Sequence, residues 1–489
     1  MNIYARFEAE FKSAGDASAL VMPDREDWSY ARLLGQVDRA AAALSVWGVG
    51  VGDRVLVQTE KTPQAVSLYL ACLKCGAVYV PINTAYTAPE VEYFIADCEP
   101  RLFVAGSGFD TDVRVAVLDG AGAGSFWRLS TSTPTATVDR ADDDLAAIIY
   151  TSGTTGRSKG AMLTHANLLS NAETLCRAWG WRDDDVLLHA LPIFHVHGLF
   201  VALHCAFLKA TPVILHKRFD IAALLRELPR ATVLMGVPTF YTRLLDEASF
   251  DAGSCPNMRL FISGSAPLTA PTFAAFEQRT GFRILERYGM SETLMNTSNP
   301  LHGERVAGTV GFALTGVAVR VADDGGNELP RGEVGNIELR GPNVFKGYWR
   351  QPAKTAQAFR DDGFFVTGDM GTMDGEGRLT IVGRAKDLVI SGGYNVYPKE
   401  VEALLDEMPE VVESAVIGVP HRDFGEAVVA VVVAEAAVNQ ARVDRFLKGR
   451  LARYKHPKRV IRVGELPRNA MGKVQKNVLR EAYVDEFGP

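Results

Sequence analysis

Cysteine is scarce in this chain: six in 489 residues. That excludes a disulfide-stapled scaffold, which needs far more cysteine per residue. Cys72 and Cys75 form a lone CxxC, but they sit in the apolar run Leu68 to Val80 and read as core residues of a helix, not a redox or metal pair. The start, Met1-Asn2-Ile3-Tyr4-Ala5-Arg6, has no apolar stretch of a signal peptide, and no run approaches the roughly 18–20 uncharged apolar residues of a membrane span. These absences predict a cytoplasmic protein with no membrane insertion. Excess positive charge is missing too. The net charge of −6 argues against general nucleic-acid binding. Internal repeats, low-complexity linkers and a P-loop are also lacking; the pattern G-x-x-x-x-G-K-[ST] fails here.

What is present is an ordinary globular balance, 47% hydrophobic and 22% charged, in a chain long enough for two or more domains. Ser29 is a plausible N-cap before Leu33, Leu34, Val37, Ala41 and Leu44 at helical spacing. Strands are expected over residues 54–58, from Val78, over 145–150, at 213–215 and at 233–235. Helices are expected from Pro63 to about Lys74, from Asn167, and from Phe240 to Glu247. Alternation of this kind predicts parallel sheet with crossover helices. Glycine-separated strands dominate from Val310 to Leu339, which predicts a small β-rich unit. From Pro398 onward a helix, strands at 412–419 and 427–433, and a helix near 443–451 predict a second, α+β region.

The run Thr151-Ser152-Gly153-Thr154-Thr155-Gly156-Arg157-Ser158-Lys159-Gly160 carries hydroxyls, glycines and a lysine. Leaving a buried strand, it is suited to cradle phosphates: glycine lets backbone N–H groups converge, hydroxyls add donors and lysine adds charge. Four further stretches are too polar for core: Arg287-Tyr288-Gly289-Met290-Ser291-Glu292-Thr293, Thr367-Gly368-Asp369, Gly383-Arg384-Ala385-Lys386-Asp387, and Pro467-Arg468-Asn469-Ala470-Met471-Gly472-Lys473. A ring can cover a purine, a carboxylate can hold magnesium, and an aspartate after a strand can accept ribose hydroxyls.

In this order, from about Trp28 to Lys476, the set resembles the adenylate-forming superfamily of acyl-CoA synthetases, amino-acid adenylation domains and luciferases. The resemblance implies an α/β fold: a large N-terminal domain of α/β subdomains plus a small β-rich unit, over residues 1–385, and a smaller mobile α+β domain, over 386–489. It implies ATP, Mg2+ and coenzyme A as reaction partners, and an acyl-adenylate intermediate. By the same resemblance Thr151, Ser152, Gly153, Thr154, Thr155 and Lys159 grip the β- and γ-phosphates, and Ser291, where threonine is usual, lies by the α-phosphate. Glu292 is linked to magnesium, Ser265 and Ala266 flank adenine, Tyr288 stacks on it, and Asp369 and Arg384 hold the ribose. His195 faces the carboxylate being activated, and Lys473 is catalytic in the first half-reaction. Lys386 is the hinge, and Ser391, Gly392 and Gly393 line a coenzyme A tunnel. Basic residues between Lys448 and Arg459 offer charge to coenzyme A phosphates. Ser158 departs from the usual proline, which implies a looser loop.

The strings PIFHVHGLF, MGVPTFYTRLL and RYGMSETLMNTSNP resemble more narrowly the malonyl-CoA synthetases, some of which accept methylmalonate. A buried arginine without a partner is costly, so an arginine facing the acyl cavity implies a small dicarboxylate substrate; Arg243 is the first candidate and Arg287 the second, with Met295 to Asn299 adding polar groups. A general short-chain or aryl acyl-CoA ligase is the alternative. Amino-acid adenylation is disfavoured, because Phe194-His195 offers no aspartate to meet an amine and no carrier domain is expected before Pro489.

Overall fold

The computed structural model describes residues 1–23, 25–128, 136–151, 158–434, 438–469 and 473–488. Short, largely buried apolar strands build two large sheets, of seven and nine strands. In the first, Arg54–Gln58 pairs in parallel with Val78–Pro81 and Leu102–Ala105, and Tyr79 pairs with Ala147 of Leu145–Thr151. The crossover helix Pro63–Cys75 starts on a Thr62 cap and stops at Gly76 in the left-handed region (φ 71°). Cys72 is sealed inside and Cys75 half-buried; burial pushes both thiols up, so neither is poised for redox work.

In the second sheet, Leu187–His189, Val233–Gly236, Leu260–Ser263 and Leu285–Met290 are parallel neighbours. Their carboxyl ends therefore lie side by side, the usual place for a ligand crevice in open α/β sheets. Each edge of this sheet is antiparallel, as Leu294–Ser298 folds back on Leu285–Met290 and Trp28–Ser29 on Ser18–Val21.

A four-stranded antiparallel sheet follows: Ala318–Ala322, Gly335–Arg340, Phe365–Met373 and Leu379–Arg384. Beyond it, Val411–His421 and Gly425–Ala434 form a long hairpin. The period-2 alternation of those strands separates two cores. Val416, Val428, Ala430 and Val432 pack on one face with Val401 and Leu405 of the Pro398–Leu405 helix. Ile417, Val429 and Val431 pack on the other with Leu479 of Lys476–Ala482. The protein is a mixed α/β fold with a large N-terminal and a smaller C-terminal part.

Three local readings change. The phosphate run is followed by a strand, Lys159–Thr164, which pairs antiparallel with Leu145–Thr151; the helix starts only at His165, behind a Thr164–Asn167 capping box. Asp369 lies within the strand Phe365–Met373, not after one. The helix expected to Leu451 ends at Leu447, because Lys448 is extended and Gly449 takes φ 80°. Among the described residues no helix is long and apolar enough to cross a membrane.

Candidate active site

Three groups meet where the small sheet abuts the nine-stranded one. Strand register sets Asp369 opposite Arg384, and Arg384 Nε reaches Asp369 Oδ1 at 2.8 Å. The Tyr288 hydroxyl donates to Asp369 Oδ2 at 2.5 Å. Burial, then the Asp369 charge beside it, pushes that phenol well above its usual range, so Tyr288 remains a donor. Together these groups fix a carboxylate rail of the kind that accepts two vicinal hydroxyls. Ser265 sits at φ 70°, an uncommon left-handed conformation for serine, with its hydroxyl 3.2 Å from His197 Nδ1. Ala266 beside it is half-buried.

On the phosphate side, Thr151 and Lys159 stand opposite each other at the mouth of the hairpin. Ser152, Gly153, Thr154 and Thr155 lie outside the described residues. Lys159 Nζ lies 4.4 Å from the centroid of the Tyr348 ring, and the Tyr348 hydroxyl donates to Glu292 Oε1 at 3.1 Å. Burial raises the Glu292 carboxyl above its ordinary range, which leaves it in want of a cation. Half-buried Ser291 occupies the turn just before it. Tyr348 escaped the sequence reading because Gly347–Tyr348 is a two-residue strand far along the chain. Only its pairing with Ala161 and Met162 brings it here.

The acyl side is built at the carboxyl ends of the parallel strands. Arg287 is 2% exposed, and its Nε and Nη2 reach no hydrogen-bond partner among the described residues. Burial pulls its guanidinium down to about 10, with the Tyr241 phenol opposing that shift. A Cβ at Gly264 would stand 2.5 Å from Arg287 Cζ, so glycine there makes room for the guanidinium. Among the described residues, Nε2 of buried His197 and Nε2 of half-buried His195 meet no hydrogen-bond partner. Burial, and then the Lys473 charge, lowers His195 to about 3, so it is a neutral imidazole at physiological pH.

Arg243, the first candidate, is exposed on the helix Pro238–Asp246, its guanidinium 5.7 Å from the centroid of the Phe219 ring. The desolvation argument therefore attaches to Arg287, and the order of the two arginines is reversed. Thr297, Ser298 and Asn299 are buried and serve the backbone: Thr297 donates to the Val310 carbonyl at 2.7 Å, Ser298 to that of Asn299 at 2.8 Å, and Asn299 to those of Glu286 and Thr309. Asn296 differs: its Oδ1 accepts from Asn343 at 3.0 Å, and its buried Nδ2 meets no partner among the described residues.

Lys473 arrives from the C-terminal part. Its turn is closed by an Arg468–Val474 bridge and by Asn469, whose N–H donates to the Lys473 carbonyl at 2.9 Å and whose Oδ1 accepts the Lys473 N–H at 3.0 Å. The side chain keeps solvent contact while facing a crowded cleft. Desolvation and Arg384 lower its ammonium, Asp369 opposes that, Arg287 lowers it further, and Glu292 opposes it again. One amine thus lies within electrostatic reach of the Asp369 carboxylate rail, the acidic Glu292 and the buried arginine. Lys386 is exposed in the single turn Ala385–Asp387, and Asp387 is held by Arg480 at 2.6 Å. Gly392 and Gly393 form the turn after Ser391 at φ 59° and 81°. The basic stretch is less available than its composition suggests: Lys455 pairs with Glu400 at 2.6 Å, Arg450 with Glu407 at 3.1 Å and Arg459 with Glu486 at 2.6 Å.

Comparison with known proteins shows the family and the fold. The malonate–CoA ligase of Arabidopsis thaliana is 35% identical over 487 residues, covering 89% of this chain and 79% of that protein. The indoleacetate–CoA ligase of Aromatoleum aromaticum is 34% identical over 491 residues, covering 95% and 94%. The crystal structure of ATP-bound MatB from Rhodopseudomonas palustris is 52% identical and superposes with a TM-score of 0.94 over 100% of both chains. The AMP-binding enzyme description matches residues 7–349, and that of the AMP-binding enzyme C-terminal domain matches 400–473; the chain belongs to the AMP-binding enzyme family.

Proposed function

We propose that this protein is an AMP-forming malonate–CoA ligase. A carboxylate oxygen of malonate attacks the α-phosphorus of ATP, the bond to the bridging oxygen breaks, and pyrophosphate leaves. The coenzyme A thiol then attacks the carbonyl carbon of malonyl-adenylate, its proton is lost to solvent, and AMP leaves. The observation that carries the substrate is Arg287, a sealed guanidinium with two nitrogens unpaired among the described residues. The free carboxylate of a C3 diacid supplies the missing partner through a bidentate pair.

Each remaining group has a matching task. Asp369 and Arg384 hold the ribose, with Tyr288 locking the aspartate and lying against adenine beside Ser265 and Ala266. Residues 151–155, Lys159 and Ser291 receive the phosphates. Neutral His195 orients the reacting carboxylate. Lys473 places an ammonium where negative charge grows on the α-phosphate and bridging oxygens, which lowers the barrier more than it tightens substrate binding. Glu292 is the protein ligand for Mg2+. Among the described residues no three or more metal-ligating side chains converge, which suits an ion held mainly by ATP phosphates. When bound, Mg2+ neutralises phosphate charge.

The hinge lies at Lys386, between units 1–385 and 386–489. Rotation about it carries Ser391, Gly392 and Gly393 to the cleft as the walls of a pantetheine tunnel. The six free cysteines suit a reducing cytoplasm.

The test is AMP release from MgATP and coenzyme A with a panel of mono- and dicarboxylates of two to five carbons, plus methylmalonate and coumarate. Malonate or methylmalonate should lead. Faster turnover of acetate, butyrate or coumarate would replace this reading with a general acyl-CoA ligase.

A further inference from the structure

A buried lysine lies behind the histidine loop. Lys61 is 6% exposed and makes no ion pair among the described residues. Its ammonium instead meets three acceptors: His189 Nδ1 at 2.6 Å, the His189 carbonyl at 2.9 Å and the Leu191 carbonyl at 2.8 Å. Burial pulls the Lys61 ammonium well below its usual range, and the three acceptors replace the water that burial removes.

We propose that Lys61 is a positioning residue for the acyl pocket, acting through His189 to fix the loop that carries His195 and His197. Because His189 Nδ1 accepts from Lys61, the imidazole proton sits on Nε2, which donates to the Gly198 carbonyl at 2.9 Å. One lysine thus pins positions 189 and 191, and through the ring position 198, at both ends of the loop. The loop closes tightly on itself, since a Cβ at Gly198 would lie 2.1 Å from the Pro192 carbonyl oxygen. His216 flanks the relay and donates its backbone N–H to the His189 carbonyl at 3.0 Å. Further along the loop, His195 and His197 each keep an Nε2 with no partner among the described residues, so their aim depends on how the loop base is held, with Ser265 at 3.2 Å from His197 Nδ1 as a further support. Burial and the Lys61 charge hold the His189 imidazole well below its usual range, in keeping with one neutral tautomer.

The inference rests on the reading of this loop as the acyl wall, and its test separates the two. Lys61→Met keeps the length of the side chain and removes all three donors. KM for whichever acid the wild type prefers should rise at least tenfold, while KM for ATP stays within twofold. A variant that loses thermal stability but keeps both KM values would mark Lys61 as merely structural and overturn the proposal. An independent readout is the 15N spectrum of the imidazoles. Wild-type His189 should show a protonated Nε2 and a hydrogen-bonded, unprotonated Nδ1, and Lys61→Met should show tautomer averaging. A protonated Nδ1 in the wild type overturns the relay even if the variant fails to fold. If malonate gives no AMP but another acid does, the substrate assignment falls and the Lys61 test stands.

Discussion

Replacing Arg287 with methionine should make the protein more stable and much worse at using malonate. The guanidinium is 2% exposed, with Nε and Nη2 unpaired among the described residues. Its descent from 12.5 to about 10 corresponds to about 3 kcal/mol, at about 1.4 kcal/mol per tenfold. A folded-state pKa below the unfolded one means the charged form opposes folding at every pH below about 10, so at pH 7.5 this cost is fully present. Methionine fills similar volume without charge, and exchanging buried charge for apolar contact typically gains about 1–4 kcal/mol. The catalytic effect has the opposite sign. With the cation gone, the remote carboxylate of malonate stays buried and unpaired, at about 3–5 kcal/mol, or two to nearly four orders of magnitude in kcat/KM. Butyrate, which has no second charge, should be spared or favoured. Urea unfolding and AMP-release kinetics with both acids check the pair of effects. A fall in stability, or an equal loss for malonate and butyrate, refutes the reasoning.

Lys473→Ala should lose pyrophosphate exchange by at least about 100-fold, since a transition-state charge of this kind is worth about 3 kcal/mol, while retaining thioester formation from supplied malonyl-adenylate; normal exchange would remove Lys473 from the first step. Tyr348→Phe keeps a ring over Lys159 but drops the hydrogen bond to Glu292, so KM for MgATP should rise roughly tenfold, about 1.5 kcal/mol for a bond to a charged group, and an unchanged value would show that this bond is idle. Glu286 is 4% exposed, and burial, partly offset by Lys399, raises its carboxyl from 4.5 to about 7. A raised folded pKa contributes stability that is fully present below 4.5 and lost as pH rises through 7. Glu286→Gln should therefore exceed the wild type by under about 1 kcal/mol at pH 5 and by about 3 kcal/mol at pH 8; equal gaps at the two pH values would contradict the assigned cause.

Much of the fold was legible because its signals are local. The Ser29 cap, the Pro63 and Pro398 starts and the buried runs of residues 145–150 and 213–215 depend only on neighbours in the chain. The stretches holding Glu292, Asp369, Arg384 and Lys473 stood out for the same reason: polar, glycine-rich segments between apolar strands are conspicuous in one dimension. What residue order could not rank was solvent access. Arg243 and Arg287 carry the same group, yet one lies exposed on the last turn of a helix and the other within a buried strand against Gly264. Nor could it reveal partnerships across hundreds of residues, such as Lys61 beneath His189 or Tyr348 between Lys159 and Glu292. Residue types and spacing determined the chemistry on offer, since functional groups and backbone periodicity are properties of the chain. Which charge is stripped of water, and what it meets there, was decided only by packing, because desolvation is set by neighbours in space.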